Sequence, residues 1–314
     1  MPSLWLELTP RCDLACTFCY NPWREGGWTV RPSVLPFPVL RQQLGRLMAR
    51  ARFDFVALSG GEPLLYDELI SLVQWVRQRS LTSLLTTNGR LFTRERADEL
   101  RSAGLDGVQV SVLGATAETH DRLAGRACWA DAIRALALGL EMGFCPAASC
   151  VVTQGNVSEV MALISTLARI GVRRVILNTV QPAGSALRRL DQLAVPEDAE
   201  LDRAWRDTCR RAGMELVLVR PRARATASGA AEWPRLVLGS DGALRLCNVS
   251  STSIGNILEM GDEDLDALIA DVCRGNVEKY RDRVEGCACI QALARPAADA
   301  PTRPRPLSPV SGWP

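Results

Sequence analysis

The sequence predicts a parallel α/β protein, and two observations support this. From Leu4 to about Val180, short apolar segments alternate with amphipathic ones, the order of β/α units around a parallel sheet. With 314 residues, of which 47% are hydrophobic, the chain is long enough for one large domain with an appendage.

Six strands are predicted because each segment is mostly aliphatic or β-branched, as in parallel strands that are buried on both faces. They are Leu4–Leu8, Phe53–Leu58, Ser83–Thr86, Gly107–Val112, Ala147–Val152 and Val172–Thr179. Between them, apolar residues recur at the intervals of three and four that indicate helices. These helices are Val39–Arg50, Leu64–Gln78, Arg94–Ala103, Trp129–Met142 and Ser158–Ile170.

A group of cysteines directly follows the first predicted strand. Cys12, Cys16 and Cys19 have the spacing C-x3-C-x2-C, and three thiolates can hold three irons of a [4Fe-4S] cluster. The fourth iron then stays open to bind another molecule, which favours catalysis. The alternative is a structural zinc site, which requires four protein ligands; the chain contains a single histidine, His120.

The cysteine run, with Phe18 and Tyr20 at its aromatic positions, resembles the radical S-adenosylmethionine (SAM) superfamily. The resemblance implies a partial (β/α)6 TIM-like barrel whose active site lies at the C-terminal ends of the strands. It also implies a [4Fe-4S] cluster with SAM on the open iron. In that family, an electron from the cluster cleaves SAM, and the resulting 5′-deoxyadenosyl radical takes a hydrogen atom from the substrate. An electron donor of flavodoxin or ferredoxin type is implied as a partner.

The same resemblance assigns SAM contacts to residues that follow the predicted strands. The assigned residues are Phe18, Tyr20, Gly60, Gly61, Glu62, Asn88, Ser111 and Arg122. Gly-Gly-Glu-Pro holds the SAM amino group in the family, although it can equally be a strand-to-helix turn with Pro63 at the first helical position. Relatives often read H-D-x-x-R-G where this chain has Ala124, so either Arg122 or Arg126 can supply the arginine for the SAM carboxylate.

The C-terminal third resembles the SPASM or twitch extension of radical SAM enzymes. Leu236–Cys247 alternates around Asp241-Gly242, a strong hairpin signal, and a Gly-Asn-Ile sequence and a helix follow. This β-hairpin/helix extension is expected to hold at most one auxiliary Fe–S cluster, with Cys247, Cys273, Cys287 and Cys289 as its candidate ligands. Cys273 is either a fourth ligand or a helix core residue, and an extension without a cluster is the alternative.

The predicted domain organisation has four parts. Residues 1–195 form the core, 196–234 a helical linker, 235–294 the extension, and 295–314 a disordered proline-rich tail. The cysteines outside the clusters are predicted to be core thiols: Cys128, Cys145, Cys150 and Cys209. His120 is predicted to be structural or capping, because no metal or carboxylate partner is evident for it.

Composition excludes several classes of function. A net charge of +2 gives no reason to expect nucleic acid or an anionic membrane as a partner, and no apolar stretch is long enough to span a bilayer. Eleven cysteines, several of them closely spaced, indicate metal ligands in a reducing compartment. A cytoplasmic location is therefore predicted.

The family resemblance favours oxidative modification, such as crosslinking, of a ribosomally synthesised peptide. Because the chain begins directly with the barrel, a separate leader-peptide-binding protein is expected as a partner. A dehydrogenase, decarboxylase or epimerase that acts on a sugar, aminocyclitol or nucleoside is the alternative. A non-catalytic Fe–S electron carrier is an alternative of another class, and it predicts a cluster spectrum that ignores SAM.

Overall fold

The chain folds around one sheet that carries its helices on one face. A computed structural model describes residues 3–21, 33–219, 235–249 and 253–274. Its strands are Ser3–Glu7 (β1), Phe55–Ser59 (β2), Thr82–Thr87 (β3), Gly107–Ser111 (β4), Ala147–Val152 (β5), Arg174–Thr179 (β6), Glu215–Val219 (β7), Arg235–Leu238 (β8), Ala243–Arg245 (β9) and Gly255–Asn256 (β10). Its α-helices are Phe37–Met48 (α1), Leu69–Arg77 (α2), Arg94–Ala103 (α3), Ala117–Ala124 (α4), Trp129–Glu141 (α5), Val160–Ile170 (α6), Leu190–Leu193 (α7), Ala199–Arg211 (α8) and Asp262–Arg274 (α9).

The strands pair in the order β10-β9-β8-β1-β2-β3-β4-β5-β6-β7. Neighbours from β8 to β7 are parallel, whereas β9 pairs antiparallel with both β8 and β10. All the β/α connections therefore bring the C-terminal ends of β1–β6 to one edge of the sheet. No helix in the described part of the chain is long and apolar enough to cross a membrane.

Strand alternation gives the two faces of the sheet different roles. Leu4 and Leu6 of β1 and Val108 and Val110 of β4 pack with the helices in one large apolar core. Because successive side chains point to opposite faces, the intervening residues face the other side, which is the interior of a partial barrel. Polar residues lie on that face at the C-terminal ends of the strands, for example Ser111.

The predicted parallel α/β fold and its six strands are confirmed. One helix starts later than predicted: Pro63–Leu65 is a 3-10 turn that ends at extended Tyr66, and α2 begins at Leu69. The apolar residues of this stretch pack in the core although they are not helical. Tyr66, for example, is buried, and its hydroxyl donates to the Leu35 carbonyl over 2.9 Å. Helix α4 is an element that the apolar pattern did not indicate.

The predicted linker at 196–234 is helical only in part. Its helix lies at Ala199–Arg211, but Glu215–Val219 forms strand β7, which pairs in parallel with β6. Leu216 and Leu218 of this strand pack against the large core. The described part of the segment therefore continues the β/α architecture of the core.

The hairpin predicted around Asp241-Gly242 is present as β8 and β9. β8 also pairs in parallel with β1, so the described part of the extension continues the core sheet. Arg46 of α1 donates to the carbonyls of Ile257 and Met260 over 2.7 and 2.8 Å and pairs with Asp262 at 2.9 Å. These contacts fix the start of α9 against α1. The predicted tail at 295–314 lies outside the described residues.

Candidate functional site

The cysteine loop, residues 8–21, leaves β1 and lies on a second, smaller apolar cluster. Leu14 and Phe18 of the loop are buried there at 6% and 8% exposure, and Cys12 and Cys16 pack against the same cluster. Helix α4 and the loops after β4 and β6 supply the other members: Leu113, Leu123, Ala124, Cys128, Val180, Ala186 and Leu193. Phe18, assigned to cofactor binding from sequence, thus packs beneath the loop as an anchor.

The Gly-Gly-Glu-Pro loop after β2 packs backbone to backbone on the cysteine loop. The Gly61 amide donates to the Thr9 carbonyl over 2.7 Å, and the Glu62 amide donates to the Arg11 carbonyl over 2.8 Å. A Cβ on Gly61 would lie 2.2 Å from the Arg11 carbonyl oxygen, and Gly60 has φ +125°. These two glycines are thus required for contact with the chain's own backbone, whatever their role toward a ligand.

The Glu62 side chain joins the loop after β2 to the end of β3 and the loop that follows it. Its Oε1 accepts hydrogen bonds from the Thr87 hydroxyl at 2.7 Å and the Leu64 amide at 3.1 Å, and its Oε2 accepts from the Asn88 amide at 2.9 Å. The side chain is only 1% exposed. Burial raises the pKa of Glu62 to about 7, and its hydrogen bonds to Asn88, Thr87 and Leu64 act in the opposite direction.

Glu62→Gln is expected to destabilise the chain by about 1–3 kcal/mol, since an amide NH2 would then face a buried N–H donor. The effect should depend on pH. A raised carboxyl pKa means that the folded state binds the proton more tightly, so wild-type stability falls as pH rises from about 5 to about 7 and is level above. The rise in the pKa of Glu62 from 4.5 to about 7 corresponds to a loss of stability on the order of 3 kcal/mol across this pH range.

Chemical denaturation of both chains between pH 5 and pH 8 measures this effect. The stability advantage of wild type over Glu62→Gln should shrink with rising pH across that range. A difference that does not depend on pH would show that Glu62 titrates normally in the folded chain.

The loop after β6 closes on the other end of the cysteine loop. The Ser185 amide donates to the Cys19 carbonyl over 2.8 Å. Gly184 approaches so closely that a Cβ there would lie 2.3 Å from the same carbonyl oxygen. The loop after β6 therefore leads directly into a contact with a cysteine of the motif.

The C-terminal end of α4 holds the middle of the cysteine loop. The amides of Ala15 and Thr17 donate to the carbonyls of Ala124 and Leu123, both over 3.1 Å. Arg126 donates to the Asp13 carbonyl over 3.2 Å, whereas Arg122 donates to the Gly155 carbonyl over 2.9 Å. Of the two candidate arginines, Arg126 is the one that contacts the cysteine loop.

Asn88 and Ser111 also lie at strand ends. Asn88 is 8% exposed, and its Nδ2 donates to Asp13 Oδ1 of the cysteine loop over 2.7 Å. Ser111 ends β4 opposite Ser149 of β5, whose hydroxyl accepts from Asn178 Nδ2 at 3.0 Å. A row of small polar groups thus crosses β4–β6 on the face away from the helices.

A buried polar cluster, which sequence reasoning missed, links the cysteine loop to the extension. Glu7 of β1 and Arg245 of β9 form an ion pair, with side chains 3% and 4% exposed. Burial raises the pKa of Glu7, and the Arg245 charge opposes this shift. The Tyr20 hydroxyl accepts from Asn248 Nδ2 at 3.2 Å, and burial, followed by the charge of Glu7, raises its pKa to about 12.

The spacing of the cysteine loop suits a polynuclear cluster better than one zinc ion. Thiolates around a tetrahedral zinc at about 2.3 Å place their sulfurs about 3.8 Å apart. Among the described residues, one group has three possible ligand atoms that all lie within 4.8 Å of one another, and it consists of His120, Asp121 and Cys128. The three loop cysteines do not form such a group, so their sulfurs are spread more widely than around one zinc ion. Three partly exposed thiols, held by backbone contacts from three sides, fit the [4Fe-4S] cluster that the motif implies.

The His120, Asp121 and Cys128 group is structural, as predicted for His120. His120 Nδ1 accepts from the Leu113 amide at 3.1 Å, so the neutral ring carries its proton on Nε2, which lies 3.4 Å from Cys128 Sγ. Asp121 Oδ1 accepts from the amides of Cys128 and Trp129 at 2.8 Å, where α5 starts. Burial lowers the pKa of His120 to about 4 and raises that of Cys128 to about 11.

The remaining cysteines divide between core and surface. Cys128, Cys150 and Cys209 are buried, as predicted, whereas Cys145 is exposed. Cys145 was thus wrongly predicted, because it lies in a turn, with φ +46°, between α5 and β5.

The described part of the extension places two of its candidate ligands. Cys247 is buried and its sulfur accepts from the Val249 amide at 3.4 Å. Cys273 is exposed on α9, which removes the alternative that it is a helix core residue. Cys287 and Cys289 lie outside the described residues.

Comparison with known proteins identifies the family. Residues 6–155 match the family model of the Radical SAM superfamily. PqqA peptide cyclase of Methylobacterium sp. (strain 4-46) is 32% identical over 209 residues, 65% of this chain and 53% of the relative. GTP 3′,8-cyclase of Aquifex aeolicus (strain VF5) is 30% identical over 173 residues, 54% of this chain and 53% of the relative. The chain thus spans about half the length of these curated relatives.

Solved structures share the fold at low sequence identity. Streptococcus suis SuiB bound to precursor peptide SuiA superposes with a TM-score of 0.69 at 15% identity, over 93% of this chain and 71% of that one. Native anSMEcpe with bound AdoMet and Cp18Cys peptide gives a TM-score of 0.63 at 17% identity, over 95% and 92%. The family match covers the cysteine loop and the loops after β2 and β3 that contact it, so residues 6–155 of this chain form a radical SAM domain.

Proposed function

We propose that this radical SAM enzyme oxidatively modifies a ribosomally synthesised peptide by crosslinking its side chains. The observation that carries the proposal is the similarity to PqqA peptide cyclases, at 28% to 32% identity in several bacteria. The shared fold with SuiB, a protein solved with its precursor peptide, supports the same substrate class.

In this proposal, the thiolates of Cys12, Cys16 and Cys19 are the cluster ligands. When bound, a [4Fe-4S] cluster with an open iron supplies the electron for reductive cleavage of SAM. Leu14 and Phe18 keep the underside of the loop apolar and closed to water. Glu62 holds the loops after β2 and β3 together through its hydrogen bonds to Thr87 and Asn88.

All the assigned SAM contacts stay predictions: those of Phe18, Tyr20, Gly60, Gly61, Glu62, Asn88, Ser111 and Arg122. Arg126 is the better placed of the two arginines, since its guanidinium already reaches the cysteine loop. Reductive cleavage of SAM requires an electron donor, for which a flavodoxin or ferredoxin is proposed, and a separate leader-peptide-binding protein stays a prediction. Cys247 remains the candidate ligand for an auxiliary cluster, with Cys287, Cys289 and the exposed Cys273 as further ligands.

A small-molecule substrate is the second candidate function. The observation that favours it is the 30% identity to GTP 3′,8-cyclase. In that case the polar row of Ser111, Ser149 and Asn178 on the interior face of the sheet would contact a nucleotide or sugar.

One experiment separates the two candidates. Peptides encoded by short reading frames beside the gene are synthesised and incubated anaerobically with the reconstituted chain, SAM and dithionite. We expect 5′-deoxyadenosine together with a peptide whose mass has fallen by the hydrogens lost in a crosslink. A parallel series with nucleoside triphosphates, nucleosides and sugars is the comparison. Turnover there, with every peptide unchanged, would reject the peptide proposal.

A further inference from the structure

Asp13, the residue directly after Cys12, is the point at which the cysteine loop is attached to the loop after β3. Asn88 Nδ2 donates to Asp13 Oδ1 over 2.7 Å, and the guanidinium of Arg90 forms an ion pair with Asp13 Oδ2. The side chains of Asp13 and Arg90 are 16% and 21% exposed, so solvent screens this pair only in part.

The Asn88 side chain is engaged within the protein at both ends. Its Oδ1 accepts from the Arg90 amide at 2.9 Å, while its Nδ2 reaches Asp13. Its backbone amide donates to Glu62 Oε2. The contacts of Asn88 thus join the loop after β2, the loop after β3 and the cysteine loop.

Arg90 is in turn fixed by the start of α5. Its Nε lies 3.7 Å from Asp131 Oδ2, and its carbonyl accepts from Arg134 Nη2 at 3.3 Å. From the opposite side, Arg126 donates to the Asp13 carbonyl. Asp13 is therefore held through its side chain by one loop and through its backbone by another.

The charges beside the cysteine loop explain why Asp13 needs partners. Three thiolates that share one cluster already concentrate negative charge, and an unpaired carboxylate beside Cys12 would add to it. Arg90 compensates that carboxylate, and Asn88 offers it a neutral donor. Outer groups that orient metal ligands in this way commonly change metal affinity about 10–100-fold when removed.

We propose that Asn88, Arg90 and Asp13 are positioning residues that set the backbone of the cysteine loop for cluster assembly, and that Asn88 acts on this loop rather than on SAM. The inference rests on the proposed cluster site at Cys12, Cys16 and Cys19. It assigns Asn88, in the sequence Thr87-Asn88-Gly89, a contact with the cysteine loop, whereas the sequence resemblance assigns it to SAM.

The test compares Asn88→Ala, Asp13→Ala and Arg90→Ala with Arg94→Ala, which removes an exposed ion pair to Glu141 on the surface. Each chain is reconstituted anaerobically, and iron and sulfide per chain and the rate of iron loss to a chelator are measured. The three loop variants should lose iron about tenfold faster or more, while Arg94→Ala should behave as wild type. Asp13→Ala/Asn88→Ala should lose iron no faster than Asp13→Ala alone, since Asp13→Ala already breaks the hydrogen bond from Asn88.

A double variant that exchanges the side chains of Asp13 and Asn88 separates loss of their contact from general misfolding. Asn88→Asp alone places two carboxylates face to face and should impair iron retention, whereas Asp13→Asn/Asn88→Asp restores a donor and an acceptor in the opposite order and should recover it. Thermal midpoints of the chains without a cluster report whether each variant folds. Recovery of stability without recovery of iron retention would reject the positioning role.

The electron paramagnetic resonance spectrum of the reduced cluster tests the alternative that Asn88 binds SAM directly. If Asn88→Ala retains iron as wild type does but its electron paramagnetic resonance spectrum no longer responds to SAM, Asn88 binds the cofactor and the inference is overturned. If the wild-type chain itself takes up no iron and sulfide, the proposed function fails together with the inference. Normal iron retention in all three loop variants rejects the inference alone.

Discussion

Cys16→Ala is expected to abolish cleavage of SAM by this chain. Cys16 is the central cysteine of the loop and packs, with Cys12, against the apolar cluster formed around Leu14 and Phe18. With only two cysteines left in the loop, a cube of four irons loses one of its three protein ligands. 5′-Deoxyadenosine formed under dithionite should therefore fall to the background of a reaction without protein. Iron and sulfide per chain should fall with it.

Cys145→Ala is the matched control, because Cys145 is exposed and lies in a surface turn away from the cysteine loop. It should keep wild-type iron content and wild-type 5′-deoxyadenosine formation. Undiminished product from Cys16→Ala would refute the assignment of the cysteine loop as the cluster site. A wild-type chain that carries zinc and lacks sulfide after reconstitution would refute it as well.

Local sequence patterns were sufficient for the core of the fold and for the position of the site. The predicted strands are mostly aliphatic or β-branched, as buried parallel strands are, and the cysteines, Gly60 and Asn88 each follow one of these strands. Because the C-terminal ends of parallel strands lie at one edge of a sheet, their convergence could be predicted without coordinates. The contacts of the Glu62 carboxylate confirm that the loops after β2 and β3 meet.

Contacts between distant parts of the chain could not be predicted in this way. The ion pair between Glu7 and Arg245 joins residues 238 positions apart, and nothing in the local sequence of either residue identifies its partner. The same holds for Asp13 and Arg90, 77 positions apart. A charged residue is normally exposed unless it is paired, so its burial follows from the partner and not from the neighbouring sequence.

For three of the assigned residues, the family resemblance predicts contacts with SAM, whereas the structure shows contacts within the protein. Phe18 packs in an apolar cluster, Asn88 binds Asp13, and Glu62 accepts hydrogen bonds from three groups of the chain itself. A motif shows that a residue type is required at a position, whereas the contacts show what requires it. Here the contacts show that these residues shape the loop on which the cysteines lie.

Gly61→Ala is expected to have the second large effect, because the added Cβ would meet backbone. It would lie 2.2 Å from the Arg11 carbonyl oxygen and 2.9 Å from that of Pro10, both in the cysteine loop. Side chains can rotate away from such a contact, but here two backbone segments must separate, which breaks the hydrogen bond from the Gly61 amide to Thr9. We expect a loss of about 2–4 kcal/mol in the free energy of unfolding and a marked loss of iron per chain.

Gly45→Ala provides a control with the same chemical change in a different environment. Gly45 lies within α1, and apart from its two chain neighbours and the nearby backbone of that helix, no atom of the described residues lies within 4 Å of the Cβ that would be added there. Alanine in a helix interior should raise stability by about 0.5–1 kcal/mol and leave iron content unchanged. Denaturant unfolding and iron analysis of the two variants side by side measure both effects. If Gly61→Ala matched wild type in stability and iron content, the close packing of the Gly-Gly-Glu-Pro loop on the cysteine loop would not be what holds the cluster site, and its glycines would have to be explained by a bound ligand instead.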